Sequence, residues 1–150
     1  MKTVFDDQVR AELVKRVGEV NKASTAEWGK MNVYQMLRHN TYWNGWILGK
    51  YKPVYKQAIS GKIFGKIALK RMIRDEKPLA RNIPTSPQFQ VKETKGDLEP
   101  EKAEWILLIR EYDSYNNPDF IHDFFGRMTK EQIGQLVYKH TDHHLRQFRV

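Results

Sequence analysis

Apolar side chains recur at helical spacing in five segments of this chain, and little of the sequence alternates as a strand would. Residues three and four positions apart share one face of an α-helix, so such a stripe predicts a helix with one buried side. In the last segment Ile133, Leu136, Val137 and His140 follow this rule. Five such segments in 150 residues predict a single all-α domain, a helical bundle spanning residues 1–150.

Capping signals locate the ends of several helices. Asn32 followed by Gln35, and Thr129 followed by Gln132, have the spacing of a capping box and predict the starts of the second and last helices. Gly49 is a suitable C-terminal cap for the second helix. The other three helices are predicted over about residues 5–21, 54–74 and 99–112.

The third predicted helix carries both an apolar and a basic repeat. Ile59, Ile63 and Ile67 recur every four residues, with Gly61 and Gly65 on a neighbouring face where they allow close helix approach. A cationic stripe with the same spacing consists of Lys62, Lys66, Lys70 and Arg74. Nucleic acid or an anionic membrane would suit such a stripe, but a solvated helix face is its more ordinary explanation. We therefore expect neither partner, although the formal net charge is +8.

Residues 75–97 form the irregular part of the sequence. Three prolines, Pro78, Pro84 and Pro87, predict a long loop, with an extended stretch at residues 89–91. Loops of this length are usually functional or mobile rather than simple connections.

Two histidines stand four residues apart on the buried side of the last helix. His140 and His144 could close on one metal ion, or they could be core histidines hydrogen-bonded to each other or to a neighbour. His39 shares a face of the second helix with Met36 and Trp43, so it too should point inward. Three imidazoles are a common ligand set at a catalytic zinc, whose fourth position stays open.

The composition restricts the chemistry of any such site. The chain has no cysteine, which excludes disulfides, thiolate ligands and a cysteine nucleophile, so a reaction that needs a thiol must use an external one. The first residues are acidic where a signal peptide would be apolar, and no stretch has the length of a membrane span. We expect a cytoplasmic protein.

The order of the histidines resembles a known family. His39 on the second helix, followed on the last by His-x-x-His-His-x-x-Gln at His140, His143, His144 and Gln147, is similar to the DinB/YfiT-like superfamily, which is regarded as a group of metalloenzymes. The resemblance covers essentially the whole chain and implies a four-helix bundle with long connecting loops. It also implies a metal held by His39, His140 and His144.

The resemblance supports several expectations about function. The metal would be divalent, zinc or nickel, and the protein would be a thiol-dependent S-transferase or a hydrolase acting on a small molecule. A low-molecular-weight thiol would then be a co-reactant. The sequence does not decide between a monomer and a homodimer. We expect His143, Gln147 and Trp43 to orient a ligand or contact substrate. The alternative is a non-catalytic metal-binding or stress-response bundle.

Overall fold

A computed structural model describes residues 1–50 and 52–150. Within these ranges every secondary-structure element is a helix, and there are no strands. The α-helices are α1 (Asp7–Glu19), α2 (Val33–Leu48), α3 (Ile59–Met72), α4 (Leu98–Glu111) and α5 (Lys130–Gln147). Short 3₁₀ turns occupy Pro87–Phe89 and Tyr112–Ser114. The all-α prediction is confirmed. In the described part of the chain, no helix is both long and apolar enough to cross a bilayer.

Both predicted capping boxes are formed. The side chain of Asn32 accepts from the backbone N–H of Gln35 at 3.0 Å, and the Gln35 side chain accepts from the Asn32 N–H at 3.1 Å. Thr129 and Gln132 make the equivalent pair at 3.2 and 3.0 Å. Gly49 ends α2 in the left-handed conformation, with φ of 79°. These local signals therefore mark both ends of α2 and the start of α5, the two helices that carry the candidate ligands.

The buried core lies between α1, α2, α4 and α5. Helix α2 packs against α4 and α5, and α1 packs against α4 and α5. Trp105 and Tyr112 are the largest fully buried side chains, and the Tyr112 hydroxyl donates to Oδ1 of Asn44 at 3.0 Å. Helices α2 and α5 are adjacent, which brings His39 of α2 close to the histidines of α5.

Helix α3 faces the opposite way from its predicted orientation. Its buried face contains Gly61, Gly65 and Leu69, and a Cβ on either glycine would lie 2.3 or 2.1 Å from the backbone carbonyl oxygen of Phe124. Only glycine permits this close approach to the loop before α5. The exposed apolar side chains of the helix are Ile59, Ile63, Phe64 and Ile67. The apolar repeat of α3 is therefore not part of the core.

Residues 52–58, which precede α3, are not helical, so the predicted start at Val54 is wrong. Tyr55 donates from its hydroxyl to the carbonyl of Trp46 at 2.7 Å, and Gln57 donates to the carbonyl of Phe124 at 3.0 Å. These bonds attach the segment to α2 and to the loop before α5. Of the predicted extended stretch at residues 89–91, Phe89 instead ends the 3₁₀ turn and is buried, whereas Gln90 has extended backbone angles.

Candidate metal centre

Three imidazoles from two helices converge at one point. Nε2 of His39 lies 3.3 Å from Nε2 of His140, and one ring nitrogen each of His39, His140 and His144 fall within 4.8 Å of one another. Two nitrogens bound tetrahedrally to one zinc ion, each at about 2.0–2.1 Å, are separated by about 3.3 Å. The three histidines could therefore hold a metal ion with small side-chain adjustments.

The orientation of His39 is set by the long loop. Its Nδ1–H donates to the backbone carbonyl of Phe89 at 3.0 Å, which leaves Nε2 unprotonated and directed at the other histidines. Phe89 also contacts the His39 ring edge-on at 6.4 Å between centroids. A backbone carbonyl in this role is a common support for a metal-binding histidine.

His144 is oriented by a glutamine one turn further along α5. Its Nδ1–H donates to Oε1 of Gln147 at 2.9 Å, and Nε2–H of Gln147 donates to the carbonyl of Trp28 at 2.6 Å. Gly29, with φ of +83°, makes room for this bond, because a Cβ there would lie 2.7 Å from Nε2 of Gln147. The predicted orienting role of Gln147 thus has a structural basis, and its second partner is the connection between α1 and α2.

His140 is held by stacking rather than by a hydrogen bond at Nδ1. Its ring lies 3.9 Å from the Trp43 ring between centroids, with an angle of 14° between the planes. Its buried Nδ1 has no hydrogen-bond partner in the described residues. Because His39 and His144 both carry their proton on Nδ1, one His140 proton cannot bridge all three facing nitrogens, whereas one cation can contact all of them.

Electrostatics favour the neutral form of all three imidazoles. Burial lowers the pKa of His39, and it holds the pKa values of His140 and His144 well below the usual range. For His140 the neighbouring His144 and His39 lower the pKa further, since like charges repel. A neutral imidazole is the form that binds a metal, so the site is prepared to bind a cation at neutral pH.

His143 lies beside this cluster but is not part of it. Its half-buried ring meets the edge of Trp28 at 5.6 Å between centroids, and burial lowers its pKa. The structure therefore separates the adjacent pair, with His144 in the cluster and His143 at the wall of the neighbouring cavity.

A cavity of about 600 Å³ opens onto the cluster and is lined mainly by apolar side chains. Trp43 and Leu136 line it from α2 and α5, and Ala68 and Met72 line it from the inner side of α3. The loop between α3 and α4 contributes further lining residues that sequence patterns did not indicate, namely Leu79, Ile83, Pro84, Thr85, Ser86, Pro87 and Phe89. Only the length of the loop and its prolines suggested a functional role.

His122, which lies in the connection before α5, also lines the cavity. Its Nδ1 accepts from the backbone N–H groups of Phe124 and Phe125 at 3.1 and 3.3 Å. His122 is thus a local cap that is buried at the cavity wall.

A family model described as "Protein of unknown function (DUF1569)" matches residues 8–150. The chain belongs to this family. Neither the search of curated proteins nor the search of solved structures returned a match. The DUF1569 match includes all three histidines and the cavity, but its description names no activity, so a functional argument has to rest on the geometry of the site.

Proposed function

We propose that this DUF1569 protein is a metal-dependent enzyme on a DinB/YfiT-like bundle, with His39, His140 and His144 as ligands of one divalent ion. The observation that carries the proposal is the convergence of three neutral imidazoles beside a cavity large enough for a small molecule. The packing of α1, α2, α4 and α5 around the core supports the bundle assignment.

The number of ligands favours catalysis over a purely structural metal. In the part of the chain that the structure describes, no carboxylate and no fourth histidine joins the three imidazoles. Structural zinc sites usually have four protein ligands, whereas catalytic sites keep one position for water or substrate. The proposed ion would be zinc or nickel, because imidazole suits both.

Each residue around the cluster has a distinct part in this proposal. A divalent ion held there would supply Lewis-acid chemistry and lower the pKa of a water or thiol that it binds. Trp43 fixes the ring of His140, and Gln147 fixes the ring of His144. His143, kept neutral by burial, can accept a proton from a substrate in the cavity.

The reaction that we propose is transfer of an external low-molecular-weight thiol to a small electrophile, or hydrolysis of a small substrate. The absence of cysteine means that the chain itself cannot supply a thiol nucleophile. The apolar cavity walls would bind the carbon skeleton of the substrate and exclude bulk water from the reacting groups.

The test measures metal content and turnover together on protein without a histidine tag. Wild-type protein incubated with zinc or nickel and then dialysed should retain about one ion per chain. His39→Ala, His140→Ala and His144→Ala should each lose the ion, because each removes one of three anchors. His143→Ala is the matched control, which should retain the ion and turn over more slowly.

Activity is assayed with a low-molecular-weight thiol and an alkylating electrophile, and in parallel with an ester substrate. Turnover that requires metal and is lost with the ligand variants supports the enzyme. A metal-loaded protein that is inactive in both assays would favour the non-catalytic metal-binding alternative. Metal retained by His144→Ala and lost by His143→Ala would contradict the ligand assignment.

A further inference from the structure

The net positive charge of the chain is concentrated in one segment. Residues 50–74 contain eight of the 26 Lys and Arg residues and none of the 18 Asp and Glu residues. The rest of the chain is therefore electrically balanced, and the formal net charge of +8 belongs to this segment. Most of the segment is helix α3 and the approach to it.

The same helix exposes large apolar side chains. Ile59, Ile63, Phe64 and Ile67 are exposed to 79, 63, 58 and 70 %. Together they present on the order of 500 Å² to solvent, which is at the upper end of the largest apolar patch of an ordinary monomer. The opposite side of α3 is packed against the rest of the protein, since Gly61 and Gly65 contact the loop before α5. The exposed patch therefore belongs to a helix whose inner side is already packed.

Basic and apolar side chains share this outer face. At about 100° per residue, Lys62, Lys66 and Lys70 of the stripe border and partly overlap the arc that contains the isoleucines. Arg74 lies beyond the end of α3 and pairs with Asp75 at 3.3 Å. Lys66 donates to the carbonyl of Arg127. Among the described residues, Lys62 and Lys70 have no carboxylate partner. The outer face thus combines unpaired cations with exposed aliphatic groups.

We propose that α3 binds the surface of an anionic membrane, with its isoleucines in the headgroup boundary and its lysines on the lipid phosphates. Amphipathic helices rich in lysine bind such surfaces through buried apolar area together with attraction to anionic lipids. In this orientation the isoleucines leave water and the lysines contact negative charge. Our expectation of no membrane partner treated the lysine stripe as a solvated face, and the exposed isoleucines beside it change that inference.

Two other occupants fit the face less well. A second copy of this chain would place two segments of the same positive charge against each other, and like charges in contact are unfavourable. Nucleic acid would contact the lysines through its phosphates but would leave the isoleucines in water. An anionic bilayer is the partner that complements both the charge and the apolar surface.

The test is co-sedimentation of the full chain with vesicles of phosphatidylcholine, with and without phosphatidylglycerol. Binding should require phosphatidylglycerol and weaken as salt is raised. The double variant Lys62→Gln and Lys70→Gln should bind about 25-fold more weakly, at about fivefold for each charge. The double variant Ile63→Gln and Ile67→Gln should lose at least about tenfold at unchanged charge.

The matched controls change exposed residues elsewhere. Lys92→Gln with Lys95→Gln removes the same charge from a loop, and Leu107→Gln removes a side chain that is 52 % exposed on α4. Both should bind vesicles like the wild type. All variants alter surface side chains, and circular dichroism verifies that they fold.

Four results would overturn the proposal. The first is no binding to phosphatidylglycerol vesicles at low salt, and the second is binding that the isoleucine variant leaves unchanged, which would reflect charge alone. The third is preferential binding of duplex DNA at matched salt, which would assign the face to nucleic acid. The fourth is a dimer in light scattering that the double variant Ile63→Gln and Ile67→Gln dissociates, which would assign the face to self-association.

Discussion

Gln147 connects the candidate metal centre to the segment between α1 and α2, and its replacement tests the site without touching a ligand. Its Oε1 accepts from Nδ1–H of His144 at 2.9 Å, and its Nε2–H donates to the carbonyl of Trp28 at 2.6 Å. Gln147 and His144 are both buried. Replacement by leucine keeps the approximate volume and removes both hydrogen bonds.

The expected magnitudes follow from these two contacts. Loss of the group that orients a metal-binding histidine lowers metal affinity by about 10–100-fold, or about 1.4–2.7 kcal/mol. In the metal-free protein, the Nδ1–H of His144 would be left buried without an acceptor, which costs about 1–3 kcal/mol of unfolding free energy. The partly buried Trp28 carbonyl can bond to water instead, so it adds less.

Glutamate at the same position separates the two effects. Gln147→Glu still accepts from His144, and a carboxylate makes the imidazole a better ligand, so metal affinity should equal or exceed that of the wild type. It cannot donate to Trp28, and it places two oxygens against each other, so the free energy of unfolding should still decrease. Gln135→Leu, which removes a hydrogen bond to Glu131 at the surface of the same helix, is the control.

Zinc affinity is measured by competition with a chromophoric chelator, and stability by urea unfolding of the metal-free proteins. We expect weak zinc binding only for Gln147→Leu and reduced stability for both Gln147 variants. If Gln147→Glu lost zinc as completely as Gln147→Leu, or if Gln147→Leu behaved like Gln135→Leu, the orienting role would be refuted.

Two further predictions concern the metal-free protein and the packing of α3. Burial lowers the pKa values of His140 and His144 in the folded protein below their value in the unfolded chain, about 6.5. Below that pH the unfolded chain therefore binds more protons than the folded one. The free energy of unfolding should decrease as the pH falls below about 6.5, by up to about 1.4 kcal/mol per pH unit for each histidine. Urea unfolding between about pH 7.5 and 5.5 should show this slope, and His140→Gln should reduce it; an equal slope in the variant would contradict the assignment. Gly65→Ala places a Cβ 2.1 Å from the Phe124 carbonyl and should destabilise by about 1–3 kcal/mol in thermal unfolding. A Cβ at Gly18 would meet no atom within 4 Å, so Gly18→Ala should instead raise the free energy of unfolding by about 0.5–1 kcal/mol. If Gly65→Ala changed stability no more than Gly18→Ala does, the close contact of α3 with Phe124 would be contradicted.

The long loop between α3 and α4 has a structural connection to the proposed chemistry. Phe89 holds His39 through its carbonyl, and Pro84 and Pro87 help to line the cavity. The loop therefore contributes both to the wall of the cavity and to the orientation of one candidate ligand.

Local patterns were sufficient to predict most of the helices and the histidines that α5 contributes. The capping boxes at Asn32 and Thr129 involve residues three positions apart, so they form wherever the helix forms. The i, i+4 spacing of His140 and His144 places both on one face regardless of the rest of the fold. Such signals act within one turn of helix, which is why the sequence alone determines them.

The remaining features depend on contacts between distant segments. The acceptor of His39 is a backbone carbonyl 50 residues away, and Gln147 bonds to a carbonyl 119 residues away. Every residue has a carbonyl group, so no residue type marks which one will be used. Only the tertiary structure brings these partners together.

The orientation of α3 is the clearest example of a feature that local sequence patterns do not determine. An isoleucine at every fourth position predicts a buried face, but the glycines on the other side allow the backbone to approach the Phe124 carbonyl more closely than isoleucines could. The periodic pattern determined that a helix forms and which residues share each face. The shape of the neighbouring loop decided which face is buried, because close backbone contact requires a surface without side chains.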